Sequence, residues 1–272
     1  MSGDDAECPI CVSVSTASYA VLHGLPLVRC RDCGHRFLRL ETPSTVEVIY
    51  NDHYAGFRED PVFERQAARL VASELVPRVP PPAPLLDVGC GNGAFLSIAR
   101  DAGYRSVGVD VSPAAGERCR SRGLDVRVGD LRSDAVVAPE EQYGLITFWD
   151  VVEHLPDPAS FLARAHQLLA RGGIVVVKTP RTSRASAAIS ARIPRVAGAL
   201  LQAPSHVHYF REDDLRALLR RSGFATVDFV SLGAMRSSAT GGSLRKRVAR
   251  RALRTFQRVV GDGNLLAIAR KA

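Results

Sequence analysis

After residue 84, strand-like and helix-like patterns alternate along the chain. Short runs rich in β-branched and apolar residues, Leu85–Val88, Ser106–Val111, Val126–Val128, Leu145–Phe148 and Ile174–Lys178, have the length and composition of strands buried on both faces. Between them Ala94–Ala102, Pro113–Arg122 and Ala159–Ala170 place apolar residues at helical spacing, the last followed by the stop signal Gly172-Gly173. Strand and helix in turn predict a parallel sheet with right-handed crossovers. Further on, Arg211–Ser222 reads as a helix ended by Gly223, with Phe224–Ser231 and Leu265–Ala269 as closing strands. The expectation is a doubly wound α/β domain over residues 81–272.

The earlier part of the chain is organised differently. Pro77-Arg-Val-Pro-Pro-Pro-Ala-Pro84 cannot run on as helix, because proline lacks the amide donor and clashes with the preceding turn. It marks a boundary. Residues 41–80 read as a connector with one helix, Val62–Val76, and residues 1–40 as a small separate domain of short β-type runs such as Leu25–Val28.

Composition sharpens this in two places. The net charge of +8 is concentrated: Gly233–Ala272 carries ten Lys/Arg and one acid, which leaves 26 basic and 27 acidic residues in the other 232. A nucleic-acid surface spread over the main domain is therefore not expected, since extended phosphate contact needs several cations. Within the basic segment, Leu244–Val260 places Leu244, Val248, Ala252, Phe256 and Val259 on one stripe, a helix packed by one face with its arginines in solvent. The alternative is contact with an anionic surface or an acidic carrier. Cysteine is equally local. Cys8-x-x-Cys11 and Cys30-x-x-Cys33, separated by 18 residues, have the spacing of a tetrahedral four-thiolate zinc site. Four protein ligands leave no open position, so the metal is expected to be structural. His35 is read as a capping or packing residue, and Cys90 and Cys119 as small packing residues. No apolar run reaches the roughly 20 residues that span a bilayer. The acidic Met1–Glu7 lacks a signal-peptide pattern, and a cytoplasmic location is expected.

The most informative segment is Leu85-Leu-Asp-Val-Gly-Cys-Gly-Asn-Gly-Ala-Phe95, where a strand ending in an acid leads through Gly89, Gly91 and Gly93 into a helix. Such a turn lets a ligand lie close across the strand ends. Asp110 closes the next strand, where an acid accepts hydrogen bonds from ribose hydroxyls. Glycine spacing alone also admits a dinucleotide. Charge separates the two: the carboxylate of Asp87 repels a pyrophosphate, whereas S-adenosylmethionine (SAM) carries an ammonium and a sulfonium and no phosphate.

Four ordered segments from residue 80 onward resemble the class I SAM-dependent methyltransferases. Asp87–Gly93 matches the first motif, D-x-G-x-G-x-G. Val128-Gly-Asp-Leu131 is similar to the third-strand segment, which implies Asp130 and the Leu131 backbone at the adenine. Phe148-Trp-Asp-Val-Val-Glu-His-Leu-Pro-Asp157 is similar to the segment that lines the methionine end of SAM, which implies Trp149 and Asp150 there. Ser205-His-Val-His-Tyr-Phe210 with Gly223-Phe224 matches the later signature. The resemblance implies a seven-stranded Rossmann-like sheet whose last strand is antiparallel. The N-terminal segment resembles a zinc ribbon, which in this family precedes enzymes of small metabolites and some ribosomal RNA methyltransferases.

Methyl transfer to a hydroxyl needs a base, and a histidine titrating near neutrality suits it. The resemblance implies that His206, the first histidine of His206-x-His208, lies at the pocket mouth, which makes it the leading candidate; alternation along an extended segment puts His208 on the same side, where it is expected to assist. His154, one turn past Asp150, is assigned to orienting the methionine end of SAM. Tyr50 and Tyr54 either fold over SAM or pack, and residues 181–203 form an insertion over the acceptor pocket. The expected function is methylation of a small-molecule acceptor, with oxygen as the expected acceptor atom, the alternatives being an RNA base methyltransferase or a non-catalytic SAM-fold binding module.

Overall fold

The computed structural model describes residues 6–40, 60–193, 201–230 and 263–272. The basic segment Leu244–Val260, Tyr50, Tyr54 and part of the 181–203 insertion lie outside them. No described helix is long and apolar enough to cross a membrane.

The N-terminal unit is a meander of β1 (Thr16–Leu22), β2 (Leu25–Cys30) and β3 (Arg36–Leu38). Helix α1 (Pro61–Leu70) starts where the Asp60 carboxylate accepts the Val62 and Phe63 amides, and Pro61 fills a first-turn position that needs no donor. It runs through a π turn, Val71–Leu75, into α2 (Val76–Arg78).

The main domain follows as β4 (Pro84–Val88), α3 (Ala94–Asp101), β5 (Arg105–Asp110), α4 (Pro113–Ser121), β6 (Val126–Val128), β7 (Tyr143–Trp149), α5 (Pro158–Leu168), β8 (Leu169–Arg181), α6 (Arg184–Arg192), β9 (His208–Tyr209), α7 (Glu212–Arg221), β10 (Thr226–Phe229) and β11 (Gly263–Arg270). Seven strands form one sheet in the order β10-β11-β8-β7-β4-β5-β6. Neighbours from β6 to β8 are parallel, and β11 runs antiparallel to both β8 and β10. The last strand of the chain is thus the reversed one, as expected. The chain enters at β4, winds outward to β6 and returns to β7 on the other side of β4. Ligands bind above the carboxyl ends of the strands at such a reversal.

Strand alternation divides the core. Leu86, Val88, Ile146, Phe148, Val175 and Val177 face the layer of α5 and α7, while Leu85, Leu145, Ile174 and Val176 face α1 and α3. Gly172 and Gly173 do not end the preceding helix. They lie inside β8, Gly172 at φ +74°, and the β7–β8 register shifts between Tyr143 and Leu145. The helix stops earlier, at Leu168, because Leu169 takes extended backbone and buries its side chain completely.

The N-terminal unit is not a detached appendage. Strand β9 pairs antiparallel with β3, Phe37 opposite His208 and Arg36 opposite Tyr209, and makes a fourth strand of that sheet. Ile10, Val28 and Phe37 share a core cluster with Phe210, Leu215 and Leu218. The described part of the 181–203 insertion packs here too: Ile189 of α6 meets the cluster of Leu22, Leu27, Leu38, Leu201 and Val207.

Candidate active site and four-cysteine centre

Two glycines of the β4–α3 turn need backbone that side-chain-bearing residues rarely adopt. Gly89 has φ +67°, and a Cβ there would meet Val151 Cγ2 at 2.6 Å; Gly93 has φ +76°, and its Cβ would meet Leu124 Cδ1 at 2.5 Å. Asp110 braces this turn. Its carboxylate accepts from the Gly91 amide at 2.8 Å and the Ser112 amide at 2.9 Å. Asp87 lies fully buried beneath, where the Thr147 hydroxyl donates to it at 2.6 Å. Burial outweighs that bond and pushes its carboxyl up to about 8. Beside Asp110, Val111 leaves 56% of its surface exposed, an apolar face open to a flat ligand. Leu131 is buried, and Asp130 is paired with Arg132 Nη2 at 2.6 Å, which holds its carboxyl below the usual range.

The segment after β7 collects polar atoms that lack partners. Trp149 packs on Phe95 and edge-on against Phe63, with ring centroids 4.7 and 5.5 Å away. Asp150, at φ +53°, forms an ion pair with Lys178 of β8, which lies opposite Trp149. Glu153 is fully buried, accepts from the Thr179 hydroxyl at 2.8 Å, and is pushed up to about 8 by burial and then by Asp150. Among the described residues, Trp149 Nε1, Asp150 Oδ1 and Glu153 Oε1 are buried without a hydrogen-bond partner. Each such atom costs roughly 1–3 kcal/mol if nothing fills the need. Two acceptors and one donor match the ammonium and carboxylate of a methionine moiety.

Next to this segment, His154 and His206 meet edge to face with centroids 4.8 Å apart. The Ser205 carbonyl lies 2.6 Å from His154 Nδ1, and a carbonyl only accepts, so that nitrogen carries a proton. Ligand atoms of Glu153, His154 and His206 all lie within 4.8 Å of one another, a donor set that also suits a divalent cation. His208 lies against the N-terminal unit and the Leu155 carbonyl. Its Nε2 donates to the Leu155 carbonyl at 2.8 Å, and its Nδ1 lies 3.3 Å from His35 Nε2. Burial, and then His35, pushes its imidazole down to about 3. Alternation did place His206 and His208 two residues apart, but pairing with β3 turns His208 toward the N-terminal unit. Lys178, Glu153 and Val111 are members of the cleft that the sequence reading missed. The available signals were a lysine ending an apolar strand and an acid directly before His154.

The four N-terminal cysteines converge. Cys8 and Cys33 sulfurs are 3.6 Å apart, as are those of Cys11 and Cys30, and all four fall within 4.8 Å. A disulfide is about 2.05 Å long, whereas a tetrahedron of Zn–S bonds near 2.3 Å has sulfur–sulfur edges of about 3.8 Å. The geometry fits a closed structural zinc. Turns hold it: the Gly34 amide donates to the Cys30 carbonyl at 3.1 Å, and the Cys30 amide to the His35 carbonyl at 2.9 Å. His35 packs, as expected, completely buried.

A Rossmann-like sheet with one reversed strand, an acid-and-glycine turn at its switch point and a second acid at the next strand end define the class I SAM-dependent methyltransferase fold. The chain belongs to that family, as the family model described as a methyltransferase domain matches residues 55–228. It is 30% identical over 150 residues to the ubiquinone biosynthesis O-methyltransferase of Ruegeria pomeroyi, covering 53% of this chain and 60% of that protein. The chain thus spans about three fifths of the length of that curated relative. Among solved structures, a SAM-dependent methyltransferase from Archaeoglobus fulgidus superposes with a TM-score of 0.54 at 22% identity, covering 83% of this chain and 99% of that one. The 1,6-didemethyltoxoflavin N1-methyltransferase of Burkholderia thailandensis, solved with S-adenosylhomocysteine bound, gives 0.55 at 17% identity over 89% of this chain and 97% of its own. These structural likenesses speak to the fold. The cofactor of the family is SAM.

Proposed function

We propose that this chain transfers a methyl group from SAM to a hydroxyl of a small metabolite, with Asp87, the Gly89–Gly93 turn, Asp110, Val111 and residues 149–153 on the cofactor side. The observation that carries this reading is that Trp149 Nε1, Asp150 Oδ1 and Glu153 Oε1 are buried and unpartnered among the described residues, in a segment whose Val151 packs against Gly89 of the glycine turn. SAM supplies an electrophilic methyl on a sulfonium. The protein's part is to hold the acceptor in line and to take its proton. His206 is assigned as base, with His154 against its ring, because the ligand atoms of this pair and of Glu153 lie within 4.8 Å of one another. Asp130 is available to the adenine amino group once it is shared with or released from Arg132. The O-methyltransferase relatives support oxygen as the acceptor atom.

Transfer of labelled methyl from SAM to a panel of hydroxyl-bearing small metabolites, beside tRNA and rRNA, is the direct test. Methylation of a hydroxyl-bearing metabolite and none of RNA is expected. His206→Ala should lower kcat by roughly 10² to 10⁴ while leaving SAM affinity within threefold. RNA methylation, or near-normal turnover by His206→Ala, would overturn the substrate class or the base respectively.

A further inference from the structure

The Cys30–His35 turn that carries two of the four thiols also fixes the backbone of His35, whose ring is fully buried against Phe37, His208 and Phe210 at centroid distances of 5.9, 5.5 and 5.4 Å. A chain of polar contacts leads inward from it. Asp214 Oδ2 lies 3.3 Å from His35 Nδ1, His35 Nε2 lies 3.3 Å from His208 Nδ1, and His208 Nε2 donates to the Leu155 carbonyl. Because a carbonyl only accepts, His208 carries its proton on Nε2 and receives the His35 Nε2–H on Nδ1.

The backbone repeats the connection. The Val207 and His208 amides both donate to the Glu153 carbonyl, at 2.8 and 3.0 Å, while the Val207 carbonyl accepts the Leu38 amide of β3 at 2.8 Å. His154 therefore stands between two residues, Glu153 and Leu155, whose carbonyls are held by the segment that β3 holds. His206 immediately precedes the first residue of that segment. Arg211 adds a further tie, donating from Nη2 to the Cys33 carbonyl at 2.7 Å.

We propose that His35 and His208 are positioning residues that set the His154–His206 pair, so that the four-cysteine unit is a working part of the active site. The proposal rests on the assignment of those two histidines to the acceptor side. Acting at this distance matters chemically, because a misplacement of about 1 Å at reacting groups costs on the order of 10²-fold in rate. The glycine turn and Asp110 make none of these contacts, whereas Glu153 does, so affinity for the adenosine end of the cofactor should be separable from the pair's geometry.

The test uses the full chain, zinc-loaded and chelator-stripped, with 5′-methylthioadenosine, which lacks the amino-acid end assigned to residues 149–153, as the probe. Amide exchange over residues 150–157 and 203–208, ring nitrogen shifts of His154 and His206, and probe affinity are measured together. Stripping zinc, or His208→Phe in the loaded protein, should speed exchange in both segments about tenfold. Both perturbations should move the two ring signals and leave probe affinity within threefold. His208→Gln, whose amide can reach the Leu155 carbonyl, should restore much of the protection. Unchanged exchange and ring signals in His208→Phe overturn the proposal. So does a parallel fall in probe affinity, which would mean general loosening. Near-normal turnover by His206→Ala would remove the catalytic reading of the pair without altering these measurements, so the two failures are distinguishable.

Discussion

Replacing Asp110 separates the bracing of the glycine turn from the binding of the cofactor. The carboxylate is buried and satisfies two buried amides, Gly91 and Ser112. Hydrogen bonds to a charged group are worth about 1.5–3 kcal/mol each, and an orphaned buried donor costs about 1–3 kcal/mol. Asp110→Ala should therefore lose about 3–5 kcal/mol of stability. For a chain of this size that is a fall of roughly 6–20 °C in melting temperature. Asp110→Asn keeps one acceptor oxygen but turns an amide donor toward the other N–H, so about half of the loss should remain. If the same carboxylate also receives the ribose hydroxyls, affinity for S-adenosylhomocysteine falls by a further 1.5–3 kcal/mol, about 10- to 150-fold. Thermal melts and calorimetry on the wild type and both variants give the two quantities separately. A destabilised Asp110→Asn that still binds within threefold of wild type would refute the ribose assignment. Unchanged melting would refute the bracing.

Two further outcomes follow from the buried acid and the thiols. Burial raises the Asp87 carboxyl to about 8. The contribution to stability is thus fully present below the ordinary carboxylate range and is lost as pH rises through 8; Asp87→Asn should flatten that decline in thermal melts. A cationic cofactor favours the carboxylate, so SAM binding should strengthen as pH rises from 6 toward 8 and release a proton, detected as a buffer-dependent binding enthalpy. Asp87→Asn should abolish that release. Cys8→Ser and Cys33→Ser should each lose most bound zinc by elemental analysis, and either one retaining full occupancy at wild-type affinity would refute four-thiolate ligation.

The glycine turn and the acid that braces it were legible because their signals are local. Asp87 through Gly93 is one contiguous turn, and Asp110 ends the very next strand. The acceptor half is built from contacts that sequence spacing does not encode. His208 finds His35 across 173 positions, and its strand is only two residues long, too short for any periodicity. The same brevity hid the fourth strand of the N-terminal sheet. Gly172-Gly173 misled for another reason: a glycine pair signals a helix stop and a strand irregularity alike, and burial of Leu169 decided between them.

The pairing of β3 with β9 also sets a clock on biosynthesis. Arg36 and Phe37 leave the ribosome long before Tyr209 and His208, their partners. At roughly 5–20 residues per second the gap between them lasts on the order of 10 to 35 s. If the N-terminal sheet forms during synthesis, it waits through that interval with an open edge and a bare apolar flank at Ile10, Val28 and Phe37. Early metal capture would keep those forty residues compact while the rest of the chain is made. Cells starved of zinc should accumulate newly made chains that associate through that edge, even where the mature protein, once assembled, withstands the same starvation.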